Sequence, residues 1–330
     1  ATSIMFNARQ EIDDSFYSTV KNLFSDRNKI VIYDLTNMYF EGQMLGSEKA
    51  EFGRSKQKRS DRRLIGLALS IDSLGFVRHS QFYTGNISEP ETFSDLIEAV
   101  SKQFSLDGEK PLVVMDAGIS TEENLAILRS DKYNYDYVCV SRTVPKGYNK
   151  LSDGAKTITD NRGHKIELTK ASVEGKDDSF LHVKSDQKKI KEESMDQKMT
   201  ARLEAQLNDI KQKLTKKGTL KKINKVHEKV GAIKAKLSRI GWLYNISYIE
   251  DSEKDIVTDI NWERIKERER PKGEYFLRYT KQAIAEDKIW DAYNLTRDVE
   301  AVFRCLKTDL DIRPIYHQKD EYIEPHIWLG

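Results

Sequence analysis

The sequence is poor in cysteine, proline and histidine, and it has no long apolar run. Its 330 residues include 2 Cys, 6 Pro and 6 His. Cys139 and Cys305 lie far apart in apolar surroundings, without a CxxC partner. A disulfide framework is therefore excluded, and two buried free thiols in a reducing compartment are expected. The histidines show no HxxxH pair and no Cys/His cluster, which argues against a zinc site. No stretch of roughly 18 apolar residues exists, so neither a transmembrane helix nor a membrane partner is expected. The opening Ala1-Thr-Ser-Ile-Met-Phe6 lacks the basic and apolar regions of a signal peptide. Together these absences point to the cytoplasm. There is no initiator Met, and the chain stops on Trp328-Leu-Gly330, so it reads as a piece of a longer chain.

What is present describes a folded protein. Hydrophobic residues make up 38%, charged residues 33% and aromatics 9%. That balance excludes a disordered tail or a collagen-like repeat. A chain of this length buries about 75% of its unfolded surface, enough for more than one domain. The net charge is +2, but it is unevenly spread. Between Asp186 and Ile240 stand 14 Lys and 2 Arg against 4 Glu and 3 Asp, a local charge of +9, so the remainder carries −7. A basic element facing a polyanion and an acidic remainder able to hold metal would produce that asymmetry.

Periodicity gives a coarse map. Residues 1–28 read as helical, with Ile12, Phe16, Val20 and Leu23 on one face. Lys29-Ile-Val-Ile-Tyr-Asp34 is an apolar strand ending on a carboxylate. Leu64–Ile71 and Phe76–Tyr83 are two more strands joined by the turn residues Asp72-Ser-Leu-Gly75. A helix over 89–105 starts at Pro90 and shows Phe93, Leu96, Ile97 and Val100 on one side. Pro111-Leu-Val-Val-Met-Asp116 is a second apolar strand ending on a carboxylate. Thr121 caps a short helix, and Tyr135–Val140 is a further strand. This order is mixed α/β.

From residue 151 the texture changes. Thr157–Asp160 and Lys165–Thr169 flank a hairpin turn at Asn161-Arg-Gly-His164. Leu203, Leu207, Ile210 and Leu214 form one helical seam, and Ile223, Val226, Val230, Ile233, Leu237 and Ile240 form another. Gly218-Thr219 breaks and recaps the pattern, so a helical hairpin is expected over 190–240. Its lysines form either a solvated face or a nucleic-acid contact. Trp242–Tyr248 and Tyr275–Thr280 look like strands, 287–309 like one long amphipathic helix, and a last helix starts near Pro325.

Three acids stand out: Asp34 and Asp116 at the ends of apolar strands, and Glu300 in the late helix. Neighbouring strands present their ends together. A carboxylate cluster suits hard cations such as Mg²⁺, and two such ions activate a nucleophile and stabilise the leaving oxygen of a phosphodiester. The alternative for each Asp is a strand-end cap or an ion pair. Tyr293, Glu300 and Lys307 are spaced by seven, which at about 100° per residue places them on one helical stripe. Arg304 lies one turn after Glu300. An acid bordered by Tyr, Arg and Lys suits a metal ligand flanked by phosphate contacts, or else an exposed face with an i,i+4 ion pair. The run Arg54, Lys56, Lys58, Arg59, Arg62, Arg63 is either a solvated loop or a second phosphate contact.

An ordered set of motifs then becomes apparent: Tyr33-Asp-Leu-Thr-Asn37, Phe52-Gly-Arg-Ser-Lys-Gln-Lys-Arg-Ser-Asp61, Gly85-Asn86 with Thr92, Val114-Met-Asp-Ala-Gly118 with Asn124, and Tyr293 followed by Val299-Glu-Ala-Val-Phe-Arg-Cys-Leu-Lys307. Arg313-Pro-Ile-Tyr-His317 and His326 complete it. By these residues the chain resembles the IS4-type DDE transposases, most of all their IS1634 group, over about 29–142 and 272–328. The resemblance implies a ribonuclease-H-like mixed sheet flanked by helices and interrupted by an insertion with a β-hairpin and a basic helical hairpin. The implied divisions are an N-terminal helical segment at 1–28, a first core part at 29–150, an insertion at 151–271, and a second core part at 272–330 with a truncated C-terminus. It implies that Asp34, Asp116 and Glu300 are the catalytic triad holding two Mg²⁺ or Mn²⁺ ions.

The family signature around the Glu is Y-(2)-R-(3)-E-(6)-K. Tyr293, Glu300 and Lys307 match it, but the Arg slot falls on Thr296, and Arg297 stands one place later. The implied DNA contacts are Tyr293, Arg297, Arg304, Lys307, Arg54, Lys56 and Arg59. The implied activity is cut-and-paste transposition of a bacterial insertion sequence by a homodimer on double-stranded DNA, in the cytoplasm and at the nucleoid. The remaining readings are a ribonuclease-H-like nuclease that does not join, a non-catalytic DNA-binding relic, and a structural coiled-coil protein.

Overall fold

A computed structural model describes residues 2–24, 30–54, 60–105, 110–151, 154–160, 162–216, 221–266, 271–280 and 284–329. The chain divides into two compact units. One comprises Ala1–Lys156, Leu168–Val183 and Tyr275–Gly330, and the other Thr157–Glu167 and Lys184–Glu274. Among the described residues, no helix is long and apolar enough to cross a membrane.

The first unit opens with helices α1 (Thr2–Asn7) and α2 (Arg9–Phe24). Of the expected apolar face of α2, Ile12 and Phe16 are exposed, and the side chains of Val20 and Leu23 lie outside the described ones. Strands β1 (Ile30–Tyr39), β2 (Leu64–Ile71) and β3 (Val77–Thr84) form an antiparallel meander. The β2–β3 turn is pinned by a buried Arg78–Asp72 ion pair of 2.7 Å. Two motif glycines are steric requirements here. A Cβ on Gly53 would lie 2.1 Å from the Gly85 carbonyl oxygen, and one on Gly85 would lie 2.1 Å from that of Leu64.

A 3₁₀ turn at Glu89–Thr92, closed by a Ser88/Glu91 capping box, leads into α3 (Phe93–Ser105). Then come β4 (Leu112–Met115), α4 (Glu122–Arg129) and β5 (Asp136–Val140). Thr121 caps α4 by accepting from the Asn124 amide at 3.1 Å. Strands β1, β4 and β5 are parallel.

Alternation along the strands decides what each face of this sheet meets. Val31, Tyr33, Leu35, Val113, Met115, Tyr137 and Cys139 join Phe93, Leu96, Ile97, Val100, Leu125 and Leu128 in one core. Each such side chain contributes about 1.5–3 kcal/mol by leaving water. Cys139 is a buried thiol whose pKa is pushed up to about 12 by that burial. The even-numbered residues, Asp34 and Thr36 among them, point to the opposite face.

Strand β6 (Tyr148–Lys150) follows, then β7 (Lys156–Thr159), β8 (Lys165–Val173) and β9 (Ser179–Ser185). Strands β7 and β8 pair around the expected turn, where Asp160 Oδ1 accepts from the Arg162 and His164 amides at 2.9 and 2.8 Å. Asn161 lies outside the described residues.

In the second unit, α5 (Asp186–Thr215) and α6 (Ile223–Lys236) form the expected helical hairpin, followed by the short α7 (Ser238–Gly241). Gly218 and Thr219, the expected break, lie outside the described residues. Leu203, Leu207, Ile210 and Leu214 pack with Val226, Val230 and Ile233. That core continues into a hairpin of β10 (Tyr244–Asp251) and β11 (Ile256–Arg264). The strand reading covers β10 and omits β11, whose alternation of Val257 and Ile260 with polar neighbours is weak.

The chain returns through β12 (Glu274–Tyr279), which pairs with β5. The large sheet runs β3-β2-β1-β4-β5-β12-β9-β8-β6. Its first five strands, an antiparallel meander continued by parallel strands and flanked by helices, have the ribonuclease-H-like arrangement.

The expected helix over 287–309 is divided into α8 (Glu286–Asn294), α9 (Thr296–Arg304) and a π-helical turn at Cys305–Asp309. The step at Leu295 is slight, because that residue keeps right-handed helical dihedrals (φ −60°, ψ −19°) and its amide donates to the Asp291 carbonyl at 3.3 Å. Asn294 donates to the Trp290 carbonyl at 2.8 Å, and Thr296 donates to that of Tyr293 at 2.8 Å, so both engage helix carbonyls. Cys305, expected to be buried, is exposed in the π turn. Val299 and Phe303 take the inward positions instead. The last helix, α10 (Asp320–Leu329), starts before Pro325 and contains it.

Candidate active site

The two aspartates come together through the register of β1 and β4; Asp116 ends its strand as expected, whereas Asp34 does not, because β1 runs on to Tyr39 and Asp34 is still paired with Leu69 of β2. Tyr33 and Met115 are the last paired residues of the parallel ladder, and Asp34 and Asp116 follow them directly. Adjacent strands lie about 4.8 Å apart, and matched positions on parallel strands share a face. Asp34 is half-buried and Asp116 is exposed. Each carboxylate accepts a hydrogen bond from the next backbone amide: Asp34 from Leu35 at 2.8 Å and Asp116 from Ala117 at 2.6 Å.

The neighbours of both acids are braced. The Tyr33 hydroxyl is 2.5 Å from the buried Thr92 hydroxyl. After Asp116 the chain turns sharply, and the Ile119 and Ser120 amides both donate to the Asp116 carbonyl at 3.2 Å. Asn124 Nδ2 donates to the Ile119 carbonyl at 2.8 Å and to that of Pro90 at 3.3 Å. Arg142 closes the other side, with Nε donating to the Ala117 carbonyl and Nη2 to the Gly118 carbonyl, both at 2.6 Å. Sequence reasoning singled out Thr92 and Asn124 as motif residues and missed Arg142. Nothing in Ser141-Arg-Thr143, a loop without periodicity, marks that arginine.

The helices that carry Tyr293, Glu300 and Lys307 cover the same face of the sheet. Helix α8 packs on β4 and β5, and α9 packs on β1. Tyr293 is half-buried, and its ring lies 6.5 Å from that of Tyr275. Burial raises the Tyr293 pKa well above its ordinary value. The charge of Asp116 adds to the rise, as do Tyr275 and Glu300, while Arg297 opposes it. Glu300, Arg297 and Arg304 are exposed.

Lys307 is half-buried and donates to the Thr36 hydroxyl on β1, two residues beyond Asp34 on the same face. Its ammonium lies 5.5 Å from the Phe303 ring centre. The stripe spaced by seven therefore runs from beside Asp116 to beside Thr36, with Glu300 between.

The basic run before β2 is only partly described. Arg54 is exposed, and its carbonyl accepts from Asn37 at 2.9 Å. Lys56, Lys58 and Arg59 lie outside the described residues. Arg62 pairs with Glu41 at 3.0 Å, and Arg63 donates to the Ala50 carbonyl at 2.7 Å. The last two cations of that run hold the loop.

The donor chemistry of Asp34, Asp116 and Glu300 fits a hard divalent cation. The fit is incomplete in geometry. Among the described residues no three carboxylate, imidazole or thiol side chains stand close enough to enclose a metal ion. The two aspartates are turned onto their own backbone amides, and Glu300 extends from an exposed helical position.

No protein-family model matches the chain, and no curated protein matches it. Seven solved chains match. One belongs to the cryo-EM structure of a piggyBac transposase synaptic complex with hairpin DNA. It is 10% identical with a TM-score of 0.42, over 94% of this chain and 49% of that one. The chain thus spans about half the length of that solved structure.

Proposed function

We propose that this chain carries the catalytic part of a DNA transposase of the IS4 type, nearest the IS1634 group, which cuts and joins DNA by metal-dependent phosphoryl transfer. The observation that supports this most is one shared sheet face. Asp34 and Asp116 lie on it side by side, and the helix bearing Glu300 packs over it. In this reading the three acids hold two Mg²⁺ or Mn²⁺ ions, which when bound activate the attacking oxygen and stabilise the leaving one. Arg297 and Arg304, exposed on α9, neutralise backbone phosphates, and Arg54 does so from the loop before β2. Lys56 and Arg59 extend that contact.

The half-buried Tyr293 keeps its hydroxyl protonated and able to donate to a phosphate oxygen. Lys307 ties the helix to β1. The core is built from 29–150 and 272–330, the helical segment 1–28 precedes it, and 151–271 is an insertion. The working form is a homodimer pairing two DNA ends in a bacterial cytoplasm. The open arrangement of the three acids favours a second reading, a DNA-binding relic without catalysis.

Two measurements separate these readings. Mn²⁺ titration followed by electron paramagnetic resonance should show binding that is weakened at least tenfold in Asp34→Asn and Asp116→Asn. A labelled duplex with free 3′-OH ends, mixed with plasmid and Mg²⁺, should become joined to the plasmid by the wild type but not by Asp116→Ala. Equal Mn²⁺ binding in all three proteins, or joining by Asp116→Ala, would remove the proposal.

A further inference from the structure

The lysines of the helical hairpin are not equivalent. Those turned toward β10 and β11 are engaged in the fold: Lys211 bonds Asp259 and the Ile260 carbonyl, each at 3.0 Å, and Lys234 donates to the Tyr244 carbonyl at 3.0 Å. Lys188 pairs with Glu192 on its own helix. Among the other exposed cations are six: Lys191, Lys198 and Arg202 on α5, and Lys225, Lys229 and Lys236 on α6. None of the six forms an ion pair with a described residue.

Their spacing puts each trio on one stripe. Lys198 and Arg202 lie 7 and 11 positions after Lys191, and Lys229 and Lys236 lie 4 and 11 after Lys225. At about 100° per residue, each trio falls within about 40° of arc. That arc lies about 130° around α5 from the seam of Leu203, Leu207 and Ile210, and about 90° around α6 from that of Val226, Val230 and Ile233.

The two stripes share one face, because in an antiparallel hairpin both are turned in the same rotational sense from the shared seam. Asp209 continues the α5 stripe, five turns after Lys191. Its carboxyl is held below the usual range first by its bond to Lys213, and also by Lys229 on the other helix and by Lys216. By the same helical arithmetic, Asp209 is the one acid on the described part of this face, and Lys213 already neutralises it at 2.6 Å.

We infer that this face of α5 and α6 is a docking surface for the phosphate backbone of duplex DNA. Charge complementarity is the first argument. The second is length: Lys191 to Arg202 spans about 17 Å along the helix axis, about half a turn of duplex at about 34–36 Å. The third is what the face lacks. Met195, Ala205 and Ala232 are its apolar members among the described residues, so that part has no aromatic or branched side chains to enter a lipid surface. The surface contributes affinity without reading sequence, because phosphates carry no base information. It gives the proposed transposase a second contact with DNA, distinct from its acids, and so rests on that reading for its biological setting only.

The test uses the full chain and a fluorescent duplex of about 24 base pairs of arbitrary sequence, with affinity measured by anisotropy across a KCl series. Each lost phosphate contact lowers the slope of log K against log salt by about 0.9. The variant Lys198→Gln/Arg202→Gln/Lys229→Gln should therefore lose about 2 to 3 units of slope and roughly tenfold or more in affinity, with unchanged circular dichroism. The control Lys165→Gln/Lys184→Gln/Lys254→Gln removes three exposed lysines that pair with Glu167, Glu274 and Asp251, and its slope should match the wild type. An unchanged slope in the first variant, an equal drop in the control, or equally strong competition by polyglutamate would overturn the inference. Glu300→Ala should keep the full slope. Loss of slope without any metal-dependent cutting would uphold the docking surface and sink the transposase reading; cutting with an unchanged slope would do the reverse.

Discussion

Arg142 shows how much of the candidate site depends on side chains that carry no charge-based role of their own. Its two bonds to the carbonyls of Ala117 and Gly118 fix the turn that begins at Asp116. A planar guanidinium makes both bonds at once, and an ammonium cannot reproduce that fork. Removing it leaves Asp116 on an unclamped loop, and misplacement by about 1 Å costs about 100-fold in rate. Arg142→Ala and Arg142→Lys should both cut Mg²⁺-dependent nicking to that extent and raise the Mg²⁺ concentration needed for half-maximal rate. Duplex affinity and melting temperature should stay as in the wild type. A lowered rate with unaltered Mg²⁺ dependence would make Arg142 a merely structural residue.

At this scale the place of Asp116 directly after a buried strand was legible in the sequence, whereas Asp34 lies inside β1, whose polar second half hid its continuation to Tyr39. Their braces were legible only in part. Thr92 and Asn124 entered through a motif, whereas Arg142 acts through backbone carbonyls brought close by the fold, and no sequence pattern records such a contact.

Elements were read well wherever one period dominated. The apolar strands β1, β2 and β4 and the seam between α5 and α6 follow their spacing. The helix over 287–309 follows its apolar period through Leu295, which keeps helical dihedrals, as far as Arg304. The π turn at Cys305–Asp309 escapes periodic reasoning, and it is what leaves Cys305 outside.

A further element-scale feature had no signal at all. Asp178, in a stretch that reads as a plain turn, is buried and accepts from Arg129 Nη2 at 2.8 Å, from Arg278 Nε and from the Tyr137 hydroxyl. It joins α4, β5 and β12 to the start of β9. Taking away one partner of a buried ion pair costs about 3–5 kcal/mol, because the remaining charge keeps its desolvation penalty. Asp178→Asn should lose stability of that order in urea unfolding. A loss below about 1 kcal/mol would show that Glu122, which also pairs with Arg278, carries the site alone.

For the whole molecule, the mixed α/β order and the basic insertion were legible from strand texture and charge distribution. The ribonuclease-H-like strand order was not derivable from spacing, and came with the family resemblance. The arrangement of β1 and β4 turns two unremarkable aspartates into neighbours, and α8 and α9 cover the face they share. That convergence is the account's central claim, and its catalytic meaning can be tested directly. Supercoiled plasmid should be nicked by the wild type in Mg²⁺ or Mn²⁺, not in EDTA, and not by Glu300→Ala. Nicking that persists in Glu300→Ala, or that needs no divalent ion, would contradict it.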